Sequence, residues 1–370
     1  MATLSVRQLG RGVDLVLLTV TILLTLIGLG AVFSTSLNTA TPSYAIFYRQ
    51  AIFAAAGFAL VIVFARLDYR SFGAAHWVLY GAALVSLVAV RLFGKTVNGT
   101  TGWFEVAGMQ LQPVEFVKII VCLVLAKYFS DHADETGSWK FVLMSGLIVA
   151  APVLLVMIQP DFGSAMLMIA IWFGLLLAVP VPRRRLALLV AAAIVAAVAS
   201  WFFVFQTYQK ERILNFVSPG RDPLKSGYNV TQAITAIGSG QWFGRGLGLG
   251  PQSQLSFLPE RQTDFIFASI GEELGFVGTA TIVAFFSALL WRCYVMSRRS
   301  RDNFSVILSL GIGLMFFVQV AINIGMNIGV FPVTGIPLPF ISYGGSSLLS
   351  SFIAVGILES LASRQRILPL

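Results

Sequence analysis

Charge is what this chain has least of. Only 11% of its 370 residues are Asp, Glu, Lys or Arg, against about a quarter in a soluble domain. Cysteine and histidine are scarcer still, with two of each. Cys122 and Cys293 lie within or at the inner end of long apolar runs, where no disulfide framework can form. His76 and His132 have no ligand-like spacing, which argues against zinc, haem or iron–sulfur chemistry. No basic soluble segment exists to grip nucleic acid, so the net charge of +9 needs another origin.

Apolar residues fill the chain instead, at 57%, with a mean hydropathy of +0.85. Runs of roughly 18–25 apolar residues recur, each long enough to cross a bilayer core. Ten are readable, at about 13–34, 45–65, 74–93, 113–129, 141–158, 163–180, 186–206, 264–290, 304–329 and 340–362. The expected fold is an all-α polytopic membrane protein, one transmembrane domain over 1–370. The first run is too long for a signal-peptide core and is expected to stay as an anchor. Lys and Arg set the orientation. With the N-terminus inside, fifteen fall on inner segments and seven on outer ones, six of those in one loop. Both termini are therefore expected in the cytoplasm, and anionic inner-leaflet lipid accounts for the net charge.

One loop, 207–262 on the outer face, is long enough for structure of its own. Its Gly, Pro, Gln and aromatic content points to an ordered segment packed on the spans. A smaller outer loop, 94–112, carries Trp103, Phe104 and Glu105. No internal repeat is evident, which weakens an inverted-repeat transporter reading.

The few charges at membrane depth collect at one face. Arg49, Glu115, Lys118, Asp161 and Asp264 each stand at the outer end of an inward-running span. Such residues are costly and usually mark a working site. Asp264 follows Thr263, a good N-cap, and is expected in the first helical turn, where the dipole favours its ionised form. It suits a general base acting on an alcohol, or an ordinary cap. Asp264, Ala268, Gly271, Gly275 and Gly278 form a stripe for close helix approach. Glu272, about 12 Å further along at about 1.5 Å per residue, and Glu273 are expected nearer the midplane.

Asp161 after Pro160 repeats the arrangement at the sixth span. The two outer-face carboxylates could share a divalent cation, divide acid and base roles, or be separate caps. Glu115 and Lys118, three apart, form either a structural ion pair or a pyrophosphate-binding site. Arg49 could grip an anionic head group or anchor at the interface. The glycines from Gly244 to Gly250 resemble a dinucleotide loop but lack any βαβ context, so no nucleotide is expected. The stretch from Gly335 to Ser347, including Ser342 and Tyr343, is either a phosphate-facing turn or a tight re-entrant one.

Several of these stretches also carry a resemblance. Gln159-Pro160-Asp161-x-Gly163, Phe257-Leu258-Pro259-Glu260, Thr263-Asp264-Phe265-Ile266-Phe267-Ala268, Glu272-Glu273-x-Gly275 and Pro337-Leu338-Pro339-Phe340-x-Ser342-Tyr343-Gly344-Gly345-Ser346-Ser347 resemble the SEDS proteins of bacterial cell-wall synthesis. The likeness runs from about 13 to 362, and is greatest to the elongation member rather than the division paralogue. It implies a peptidoglycan glycosyltransferase of the bacterial inner membrane, with its site facing outward. It would polymerise lipid II with loss of undecaprenyl pyrophosphate, with Asp264 as the essential acid. It also implies a class B penicillin-binding protein and elongation-machinery membrane proteins as partners. Where the family has Arg-Trp this chain has Gly102-Trp103, so another cation, such as Arg49, Lys118 or Arg212, is expected to hold the pyrophosphate. A lipid II flippase is the alternative class.

Overall fold

The computed structural model describes residues 13–37, 44–97, 99–106, 108–203, 226–255 and 257–365, with Lys210, Leu214 and Phe216. In chain order its first elements are α1 (Leu15–Ser34), α2 (Ala45–Arg66), the short α3 (Tyr69–Ala74) and α4 (His76–Phe93). Strands β1 (Lys95–Val97), β2 (Thr100–Val106) and β3 (Met109–Leu111) follow, then α5 (Pro113–Asp131), α6 (Trp139–Ile158), α7 (Phe162–Ala178) and α8 (Arg183–Phe203). The last are α9 (Ser226–Gly240), the one-turn α10 (Pro251–Gln254), α11 (Ile266–Arg299), α12 (Asn303–Asn327) and α13 (Gly345–Gln365).

Eight of these helices are long and apolar enough to cross a membrane. Two more complete the ten expected. α5 carries Glu115, Lys118, Lys127 and Asp131 within 19 residues, and α7 is 17 residues long. The chain is a polytopic all-α membrane protein. Its core lies where α13 packs on α2, and where α12 packs between α5 and α11. α8 buries none of its residues.

Polar contacts pin α1 and α11 side by side at both ends. Asp14, the N-cap of α1, accepts hydrogen bonds from Arg292 on α11, at 3.0 Å from Nε. Ser34, the last residue of α1, donates to Glu273 on α11 at 2.7 Å. The end of the bundle at Ser34 is here called the upper end, and the end at Asp14 the lower.

Three features of the upper end depart from the expected elements. The 94–112 loop is a three-stranded antiparallel sheet in the order β1-β2-β3. The tenth span begins at Gly345 rather than 340, because 333–344 is a non-helical segment that dips into the bundle. Within that segment Phe340 and Ile341 are buried, and the Phe340 ring lies 5.6 Å from both Phe316 on α12 and Phe352 on α13. On α1, only glycine fits opposite it: a Cβ at Gly28 would sit 2.7 Å from Ile341 Cα. The segment is thus the re-entrant turn that the Gly and Pro density allowed.

The third departure is in the eighth span. Its helix starts at Ile266 and is interrupted at Gly275, where φ is +67° and ψ −161°. That backbone is open to glycine and strained for other residues. The stretch that matches α1 therefore begins after Gly275, and 266–274 is a separate helical piece at the upper end. Glu272 and Glu273 lie at that end beside Ser34, not near the midplane.

Candidate functional site

Asp264 sits in a turn, one residue before the cap of α11, and is half-buried. Thr263 does not cap the helix; its hydroxyl donates to Glu260 O at 3.2 Å and Glu260 Oε2 at 2.9 Å. Asp264 is instead held through its backbone. Its carbonyl accepts from Asn323 Nδ2 at 3.1 Å and Asn327 Nδ2 at 3.0 Å, both on α12. Asn327 Oδ1 in turn accepts from Ala268 N at 3.1 Å, so one amide ties the turn to the helix after it. Fixing the main chain on both sides settles where the carboxylate starts from.

The re-entrant segment closes on the same turn. Ser342 Oγ donates to Thr263 O at 2.6 Å and accepts from Leu338 N at 2.8 Å, while Tyr343 N donates to Gln262 O at 2.8 Å. Gln50 on α2 donates to Ser342 O at 3.1 Å and accepts from Gly344 N at 3.3 Å. The Ser342 hydroxyl and the N–H groups of Leu338, Tyr343 and Gly344 are therefore engaged within the protein. These groups build the turn, and the phosphate-facing alternative loses them as donors. At Gly335, whose φ is +74°, a Cβ would lie 3.6 Å from Asp264 Oδ2. The carboxylate thus faces a residue with no side chain.

Asp161 stands at the neighbouring helix start. It is the N-cap of α7 rather than a first-turn residue, accepting from Ser164 N at 3.0 Å and Ser164 Oγ at 2.8 Å. A Cβ at Gly163 would lie 2.7 Å from Thr334 O and 3.1 Å from Ile336 Cγ1. The turn 334–336 is therefore wedged between the starts of α7 and α11, one carboxylate on each side. The start of α5 joins the same rim, with Gln112 N donating to Ser346 Oγ at 2.8 Å and Gln112 Nε2 reaching Asp161 Oδ2 at 3.5 Å. Gly102 on β2 faces this corner: a Cβ there would be 3.6 Å from Gln159 Oε1 and 3.9 Å from Gln112 Nε2.

The expected cations separate. Lys118 Nζ lies 2.7 Å from Glu115 Oε1, with the side chains 1% and 3% exposed. That burial fits the structural ion pair. Arg49 is exposed on α2, one residue before Gln50. Arg212 lies outside the described residues. Among the described residues no three His, Cys, Asp or Glu side chains gather as a metal cluster.

Polar uncharged residues that carried no signal of their own do much of the positioning: Gln50, Asn323 and Asn327. So does Arg261. Its guanidinium donates to Ser253 O, to Gln254 O at 3.3 Å and to Thr35 O at 3.4 Å. Burial pushes the pKa of this group down, and the nearby Glu273 charge opposes that shift.

Residues 14–367 match the model of a family described as cell cycle protein, FtsW/RodA/SpoVE. The chain is 40% identical over 287 residues to the probable peptidoglycan glycosyltransferase FtsW of Allochromatium vinosum, covering 76% of this chain and 71% of that one. It is 36% identical over 316 residues to the peptidoglycan glycosyltransferase MrdB of Escherichia coli K12, covering 85% of each. Among solved structures, a chain of a peptidoglycan synthase complex that coordinates polymerization and crosslinking superposes with a TM-score of 0.82. Its identity is 27%, with 95% of this chain and 98% of that one covered. The rod shape determining protein RodA of Thermus thermophilus superposes at 0.71 with 26% identity, covering 96% and 98%.

Proposed function

The chain belongs to the FtsW/RodA/SpoVE family of cell cycle proteins, and from that premise we propose that it is a peptidoglycan glycosyltransferase polymerising lipid II. Its relatives bear that name, and the site has the parts such a reaction needs. The 4-hydroxyl of the incoming lipid II sugar attacks C1 of the lipid-linked glycan. The C1–O bond to pyrophosphate breaks, undecaprenyl pyrophosphate leaves with the electron pair, and the hydroxyl proton passes to the Asp264 carboxylate. The leaving group is already good, so a base and orientation are the main requirements. An α-linked donor and a β-linked product make this a single inverting displacement. The positive-inside rule turns the upper end, and so Asp264, toward the periplasm or cell exterior.

One observation carries this reading. Asp264 is half-buried at a fixed turn, with its main chain held by Asn323 and Asn327 and its carboxylate facing Gly335. Arg49 is the cation assigned to the pyrophosphate in place of Gly102, and Asp161 orients the sugar at the opposite edge. Asp264→Asn keeps the shape but cannot take the proton. It should leave folding intact and cut polymerisation of lipid II in detergent by about a hundredfold or more. Near wild-type polymer from the purified variant would sink the assignment.

The elongation role is favoured by Ser226-Gly227-Tyr228-Asn229 and Ala236-Ile237-Gly238-Ser239-Gly240, which resemble the elongation member, and by the fit to RodA. The division role, with the same chemistry, is supported by the 40% identity to FtsW. A flippase reading drew on polar residues near the midplane, and it loses support because Glu272 and Glu273 sit at the upper end.

A further inference from the structure

The two buried acids of α11 touch nothing at the site, and the chemistry above makes no use of them. Glu272 and Glu273 are 0% and 2% exposed. An ionised carboxylate so buried is expensive unless its oxygens are engaged, and three of the four here accept hydrogen bonds. Glu272 Oε1 accepts from Gln252 N at 2.8 Å, while Oε2 accepts from Ser253 N at 2.9 Å and Ser253 Oγ at 2.6 Å. Glu273 Oε1 accepts from Ser34 Oγ at 2.7 Å, Gln254 Nε2 at 3.2 Å and Gly248 N at 3.3 Å. Every donor except Ser34 belongs to the segment 248–254.

The helix break beside them is filled by the same loop. Arg245 N and Gly246 N donate to Glu272 O and Glu273 O, each at 3.0 Å. In return Phe276 N donates to Gln241 O at 2.8 Å and Val277 N to Trp242 O at 3.1 Å. Backbones meet so closely that a Cβ at Gly244 would lie 2.1 Å from Glu273 O, and one at Gly275 2.3 Å from Gly244 N. The break in α11 is thus a backbone clasp that grips residues 241–254.

From that clasp a continuous path leads to the site. Arg261 donates to the carbonyls of Ser253 and Gln254, two of the residues the acids hold. Arg261 is three residues before Asp264, and its own carbonyl accepts from Ser269 Oγ at 3.2 Å. The 260–265 turn therefore has two supports. One is the re-entrant segment with α12; the other is Arg261, anchored on the clasped loop.

We propose that Glu272 and Glu273 are positioning residues for the glycosyl transfer, setting the Asp264 turn through residues 248–254 and Arg261. This rests on Asp264 being the reacting carboxylate. Replacing Glu272 by Gln turns one acceptor oxygen into an NH2 donor, which then opposes an N–H or O–H already aimed at it. The loop shifts, Arg261 loses its carbonyl partners, and the carboxylate leaves its place.

The test uses the full chain, with Glu272→Gln, Glu273→Gln and Arg261→Lys. Kinetics with lipid II are measured well below each variant's Tm, and backbone amide exchange is followed by mass spectrometry. The expected result is a fall in kcat of about tenfold or more with KM within about twofold, the pattern of a displaced reacting group. Exchange should quicken both at 248–254 and at 260–265. The exchange result does not depend on activity, so it separates this proposal from the assignment of Asp264. Faster exchange confined to 248–254, or kcat unchanged in folded variants, overturns the proposal. Should the Glu variants fail to fold, Arg261→Lys decides alone. It leaves the acids in place, and equal exchange at 260–265 with an unchanged kcat also overturns it.

Discussion

Asp264 and Asp161 announce themselves because a carboxylate at the start of an apolar run has few reasons to be there. Glu115 and Lys118 announce themselves for the same reason, yet their role is different. Three apart on α5 and almost fully buried, they neutralise each other within the bundle. Removing one partner of a buried pair leaves an uncompensated charge and costs about 3–5 kcal/mol. Lys118→Ala should therefore lower Tm clearly, and the exchanged pair Glu115→Lys with Lys118→Glu should recover part of the loss. An unchanged Tm together with a raised requirement for lipid II would restore Lys118 as a direct pyrophosphate ligand. Gln50 and Asn323 had no such signal. An uncharged amide at a helix end or interior is common, and only the fold shows that these reach Ser342 and Asp264.

At the scale of elements, the spans were legible to within about five residues, except that the eighth runs on to Arg299 rather than ending at 290, whereas their interruptions were not. Nothing near Gly275 breaks the helical pattern of small residues, and no proline marks the site. The stripe of Ala268, Gly271 and Gly275 fits a continuous helix as well as it fits the clasp. The sheet of 95–111 was hidden for another reason: two of its strands are three residues long, too short for alternation to be read. α12 gives a sharper test of how one element serves another. Asn327 donates to Asp264 O and accepts from Ala268 N, so Asn327→Leu strands the Ala268 N–H and leaves Asn323 as the amide on Asp264 O. Each buried unsatisfied group costs about 1–3 kcal/mol. The variant should lose Tm and kcat together, and Asn323→Leu on top of it should add more than its separate effect, because it removes the second of the two amides on that carbonyl. Strict additivity in that double-mutant cycle would mean the two amides do not act on one turn.

For the whole molecule, scarcity of charge and its uneven placement gave the class, the number of spans and the expected orientation. What the sequence could not give is which surfaces remain open once the bundle is packed. α8 buries no residue fully and touches the core through Leu186 and Leu189, so most of its surface meets lipid or another protein's span. The upper loop, by contrast, is not a loose lid over 241–254, because the clasp and the two acids hold it. A partner that activates the enzyme must therefore act on α9 and the segment before it, or stabilise a clasped state already present. A partner of the second kind selects a state that the free chain already populates. Under such selection the gain in rate is capped by how often the competent state is populated without the partner. We expect a class B penicillin-binding protein to raise kcat severalfold in the wild type. Polymerisation assays with and without the cognate protein, complex formation being confirmed, provide the check. Equal rates would leave the partner as a means of co-localising polymerisation and cross-linking, and would show that the competent state already dominates.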